Sequence, residues 1–87
     1  MPTFEELLSL AAMCSTLPEF SDEAEDGMDY DDHARTAHAY LRHWWPDGND
    51  EKVLDLCYRF WWYANAAYVA KFERDLLEAY NDLTAAP

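Results

Sequence analysis

Apolar residues recur along this chain mainly at intervals of three and four, the period of a helix buried along one face. The first stripe is Leu7, Leu10 or Ala11, Cys14 and Leu17. Ahead of it, Thr3-Phe4-Glu5-Glu6 reads as a capping box. In that motif the Thr3 hydroxyl accepts from the Glu6 amide, and the Glu6 carboxylate reaches back to the Thr3 amide. A helix is predicted from about Phe4 to Thr16, and Pro18 ends it by pushing residue 17 out of the helical region. Residues 18–29 form an acidic connection bracketed by Pro18 and Gly27, with one turn of helix predicted after Ser21. Its large apolar side chains, Phe20 and Met28, are expected to pin it to the core.

A second helix is predicted from about Asp31 to Trp45, capped by Asp29 or Asp31. Tyr30, Ala34, Ala37, Leu41 and Trp44 or Trp45 form its apolar stripe. Pro46-Asp47-Gly48 reads as a turn, and Asn49 or Asp50 as the next cap. From Asp50 to Ala86 there is no glycine or proline. Lys52 to Tyr63 is rich in strand formers, but Asp55 and Arg59 stand at i,i+4, a pairing that suits a helical surface. The stretch is therefore read as one long aromatic-rich helix, kinked or broken near Asn65. Its predicted core stripe is Val53, Cys57, Phe60 or Trp61, Ala64, Tyr68, Phe72, Leu76, Ala79 or Tyr80, and Leu83. Trp62 and Tyr63 fall toward the polar side, with Asp55 and Arg59. A helix apolar over so much of its circumference is either central to the fold or presents a partner face. The pattern as a whole predicts a single all-α domain over residues 1–87, a small bundle of three to four helices.

Charge sharpens this picture. The 87 residues carry 18 carboxylates against 6 Lys and Arg, a formal charge of −12. Ten of those carboxylates and none of the bases lie in residues 1–34, and eight crowd into 19–32. Such a chain repels nucleic-acid phosphates and anionic membrane surfaces. Hydrophobic residues make up 51% and aromatics 16%, too many for a solvated acidic tail. No apolar run is long enough to span a bilayer, and no basic residue precedes Arg35 to start a secretory signal. The expected location is the cytoplasm, where Cys14 and Cys57 are read as buried free thiols, with a disulfide as the alternative.

Candidate chemistry is thin. His33, His38 and His43 recur every five residues, so each turns roughly 140° from the last and they cannot converge on one metal; all three are expected at the surface or half-buried. Asp29 and His33 alone are too few ligands for zinc. The run from Asp47 offers calcium-like oxygens, but places Lys52 where the loop needs glycine and Tyr58 where it needs glutamate. No glycine-rich phosphate loop or nucleophile motif is present. The reading is a non-enzyme with no metal site and no cofactor.

In size, charge, the acidic run and the helical aromatic core, the chain resembles the small acidic inhibitors encoded by phages and mobile elements. Anti-CRISPR proteins, anti-restriction DNA mimics and nuclease-colicin immunity proteins are examples. Immunity proteins carry a Pro-Asp-Gly turn before a short helix with two tyrosines. Here Pro46-Asp47-Gly48 leads instead into a long helix with Trp61 and Trp62. The resemblance implies an inhibitor in the bacterial host cytoplasm that occupies a basic nucleic-acid-binding surface of a CRISPR effector or similar nuclease complex. The expected contact residues are Glu19, Asp22, Glu23, Glu25, Asp26, Asp29, Asp31 and Asp32, with Glu5 and Glu6 alongside, and Tyr30 or Trp62 as an apolar anchor. The alternative is a helical interaction module, whether homodimer, adaptor or antitoxin-like, working through an exposed aromatic face of the last helix.

Overall fold

A computed structural model describes residues 1–46 and 48–85, apart from the Glu25 side chain. Asp47, part of the expected turn, lies outside the described residues. The described chain is all helical: α1 (Phe4–Cys14), a 3-10 turn (Pro18–Phe20), α2 (Asp22–Glu25), α3 (Tyr30–Leu41), α4 (Asp50–Asn65) and α5 (Ala70–Thr84).

Local chemistry sets most of the helix starts. Both halves of the Thr3/Glu6 capping box form, with the Glu6 amide donating to Thr3 Oγ1 at 3.1 Å. Ser21 caps α2, and Asp29 rather than Asp31 caps α3 in a second box with Asp32. Asn49 rather than Asp50 caps α4. Gly27 connects α2 to α3 with φ of +84°, a conformation that a residue with a Cβ rarely adopts. Gly48 is needed for space, because a Cβ there would lie 2.8 Å from Val53 Cγ2.

Helix α4 is the centre of the fold, and α1, α3, α5 and the 3-10 turn all pack against it. Its buried face is Val53, Leu56, Cys57, Phe60, Trp61 and Ala64. The small Ala34 and Ala37 lie on the buried face of α3 with Leu41; such small residues permit close helix approach. Two long-range hydrogen bonds fasten the edges. Trp61 Nε1 donates to the Glu19 carbonyl at 2.8 Å, and the Tyr80 hydroxyl donates to the Pro2 carbonyl at 2.7 Å. Phe20 is buried against Phe60, Trp61 and Tyr40, as its pinning role required. Met28 is only half-buried and is not part of the core cluster.

Several boundaries and positions differ from the sequence reading. α3 stops at Leu41, four residues short of Trp45, which is buried beyond the helix end next to Pro46. A proline disfavours helical dihedrals in the residue before it. Tyr30 is not core but 43% exposed. The long C-terminal stretch is two helices, broken where Asn65 stands. Ala66 leaves the helical region at φ −140°, and α5 begins at Ala70. The break resets the helical phase, so Tyr68, expected in the continuous stripe, is 90% exposed. His33, expected at the surface or half-buried, is buried. It lies on the inner face of α3, four residues before Ala37, with its ring 3.9 Å from that of Trp61.

Candidate functional site

The acidic run is divided among short elements. Glu19 lies in the 3-10 turn, Asp22 and Glu23 in α2, Asp26 just after it, and Asp29, Asp31 and Asp32 at the start of α3. All seven are exposed. A long helical ladder of carboxylates does not form. Helical i,i+3 and i,i+4 spacing holds only within the single turn of α2 and the first turn of α3. The Glu25 side chain lies outside the described set.

These acids do two different kinds of work. Glu19 Oε2 accepts from the Tyr40 hydroxyl at 2.9 Å, while the Glu19 backbone carbonyl receives the Trp61 indole. Asp29 accepts from the Asp32 amide at 3.0 Å, and Asp32 accepts from the Asp29 amide at 3.5 Å. Glu19, Asp29 and Asp32 therefore hold the fold. The side chains of Asp22, Glu23, Asp26 and Asp31 make no hydrogen bond or ion pair among the described residues. Their charge is available to a partner.

Tyr30 and Trp62, far apart in sequence, are linked through Tyr58. The Tyr30 and Tyr58 rings lie 4.2 Å apart, the Tyr58 and Trp62 rings 6.3 Å, and the Trp62 and Phe72 rings 5.7 Å. Together they form an aromatic band crossing from α3 over α4 to α5. Tyr30 is exposed and the other three are half-buried. Trp62 thus sits at the rim of the fold, not fully in solvent. The Tyr30 hydroxyl is raised above its ordinary pKa, first by desolvation and then by the charges of Asp55 and Asp31, with Arg59 opposing. Of the acids without a partner in the fold, Asp31 thus stands beside the aromatic band at Tyr30.

At its other end the band enters a groove of about 560 Å³ between α4 and α5. Tyr58, Trp62 and Phe72 supply its aromatic lining, and Asp75 and Glu78 supply carboxylates. Arg59 also lines it, held by Asp55 at 3.2 Å and donating to the Asp75 carbonyl at 3.0 Å. This confirms the Asp55–Arg59 pairing that argued for a helix. Tyr58, Phe72, Asp75 and Glu78 were not singled out as site residues in the sequence. Tyr58 had a signal, since it precedes Trp62 by one helical turn. The α5 residues had none until the break turned α5 back along α4.

Cys14 and Cys57 are both buried and free. Burial pushes the Cys57 thiol up to about 12, and burial followed by the charge of Glu19 raises Cys14. A thiol held protonated is a poor nucleophile. Among the described residues, no three of His, Cys, Asp and Glu gather in a group that could hold a metal, and no helix is long and apolar enough to cross a membrane. Compared with known proteins, the chain matches no family model, no curated protein and no solved structure.

Proposed function

We propose that this protein is an acidic inhibitor that binds a basic nucleic-acid-binding surface of a CRISPR effector or similar nuclease complex and so blocks nucleic-acid binding. It works in the bacterial host cytoplasm, as a binding protein without chemistry of its own. The observation that carries this reading is the exposed aromatic Tyr30 beside the unpaired Asp31, within a run whose other free acids are also exposed. Carboxylates at the rim of an interface steer encounter and set its rate. A desolvated aromatic supplies the affinity that exposed charge alone does not. A basic groove shaped for phosphates accepts such a surface, and the small anions that compete for its bases are released.

The test is charge reversal confined to acids that do not hold the fold. Glu23→Lys, Asp26→Lys and Asp31→Lys are combined, sparing Glu19, Asp29 and Asp32. Binding to purified effector complexes, and inhibition of their nucleic-acid cleavage, are measured at low and physiological salt. The expected result is a loss of at least about tenfold in affinity, with a shallower salt dependence than the parent. An inhibitory complex that survives the triple change unaltered overturns the reading.

The helical-module alternative draws on the same aromatic band. Helix α4 spends its apolar face on α1, α3 and α5, which leaves the module little more than Tyr58, Trp62 and Tyr63. Binding that is indifferent to salt yet abolished by Trp62→Ala would favour it.

A further inference from the structure

We propose that the groove between α4 and α5 is a receptor for an arginine side chain of the partner. The choice of partner rests on the reading above, that the target surface is basic; the groove itself is argued from its own lining. Trp62 and Phe72 lie 5.7 Å apart, ring centre to ring centre, and line the groove with Tyr58. A guanidinium is attracted to an aromatic face by the ring quadrupole and is weakly enough hydrated to leave water for it. At about 560 Å³ the groove is open and has room for one long side chain.

The charges beside these rings suit a cation. Arg59 is neutralised within the fold by Asp55 at 3.2 Å. The Asp75 carboxylate, by contrast, has no ion pair among the described residues, although its backbone carbonyl accepts from Arg59. Glu78 is exposed and reaches Arg59 only at 3.9 Å. Asp75 and Glu78 therefore share the groove with a single remaining base of its lining, Lys71, one turn before Asp75 on α5. One carboxylate is left over. An incoming guanidinium can accept its charge and stack on Trp62 in the same pose. Arginine is favoured over lysine because its planar fork does both at once. An anionic ligand would instead need Arg59 and Lys71 free, and Arg59 is already committed.

The test uses a five-residue Gly/Arg alternating peptide with blocked ends, and the same peptide with citrulline, the neutral isostere of arginine. Binding is followed through the Trp indole N–H resonances of the full chain, with Trp62 assigned by its disappearance in Trp62→Phe. The expected result is a saturable shift at Trp62 with the arginine peptide, and at least about tenfold weaker binding of the citrulline peptide. Asp75→Asn weakens binding several-fold, because it removes the carboxylate and keeps the carbonyl that holds Arg59. Lys71→Gln tightens it. Equal binding of the two peptides, or weakening by Lys71→Gln, overturns the proposal. So do shifts confined to the backbone amides of residues 22–31, followed in the same spectra, with the Trp62 indole unmoved. The peptide test needs no effector, and the charge-reversed triple variant keeps the groove. Retained peptide binding with lost or absent effector inhibition therefore bears on the target alone, while an unmoved Trp62 bears on the groove alone.

Discussion

Trp61 and Trp62 are neighbours on α4 with rings 5.2 Å apart, yet they belong to different regions of the molecule. Trp61 is fully buried among Phe20, Phe60 and His33, and its indole N–H is spent on the Glu19 carbonyl. Trp62 is half-buried in a band with Tyr58 and Phe72 that borders an open groove. Adjacent helical residues point about 100° apart, so one turn of chain serves both a core and a rim. Aromatic content alone therefore does not announce a binding face. The inner ring system holds the acidic connection onto α4. The outer one is what remains for a partner.

The largest expected effect lies in the inner region. Trp61→Ala is expected to cost about 4 to 5 kcal/mol, the upper end for a buried aromatic, because it opens a cavity and strands the Glu19 carbonyl. Denaturant unfolding measures it, and a loss below about 1 kcal/mol would mean that Trp61 is not the core of this fold.

Next comes the buried thiol behind it. Cys57 has its folded pKa raised from 9.0 to about 12, so the folded state keeps a proton that the unfolded chain releases. Its contribution is fully present below pH 9 and is lost as pH rises toward 12. At 1.36 kcal/mol per pH unit the full loss is roughly 4 kcal/mol. Unfolding midpoints compared at about pH 8 and pH 10.5 should fall with pH, and fall less in Cys57→Ala. A thiol reagent at neutral pH should label neither cysteine in the native protein.

Trp62→Ala is expected to cost about 2 kcal/mol in stability, since only part of the side chain is buried, while its effect on partner binding is larger. If stability falls as far as for Trp61→Ala, the distinction between inner and outer aromatics collapses. Asp29→Ala should cost about 1 kcal/mol through loss of the α3 cap. The same change at Asp26, which has no such bond, should leave the unfolding midpoint nearly unmoved. Smallest is the Lys52–Asp82 pair, 3.7 Å apart with both side chains at least half exposed. Lys52→Ala should change stability by less than about 0.5 kcal/mol.

Much of the fold was legible because its signals are local. Thr3, Ser21, Asp29 and Asn49 announce helix starts through side-chain oxygens a few residues from the amides they satisfy. Pro18 is equally local as a stop, and Asn65 marked the break. Tyr68 was misplaced because a stripe extrapolated through a break keeps a phase that the chain has already lost. His33 was misplaced because a polar type was weighed above its position, although it stands one turn before Ala37 on the buried face. Of the candidate site, the acids and the outward position of Trp62 were legible from composition and phase, whereas phase alone put the exposed Tyr30 in the apolar stripe. The union of Tyr30 and Trp62 through Tyr58 was not legible, because it depends on how α3 lies across α4.

Residue order alone was enough for the all-helical character, for each helix start to within a residue or two, for an apolar helix in the second half, and for the concentration of net charge in the first 34 residues. Each of these depends on residue type and on spacings within a few positions. Tertiary packing was needed to settle which acids are tied into the fold and which are free, that Trp45 rather than Trp44 is core, and that α5 returns along α4 to form a groove. Those outcomes depend on contacts between residues up to 78 positions apart, such as Tyr80 with Pro2. Helical periodicity sets the direction of a side chain about its own axis, but not what stands opposite it.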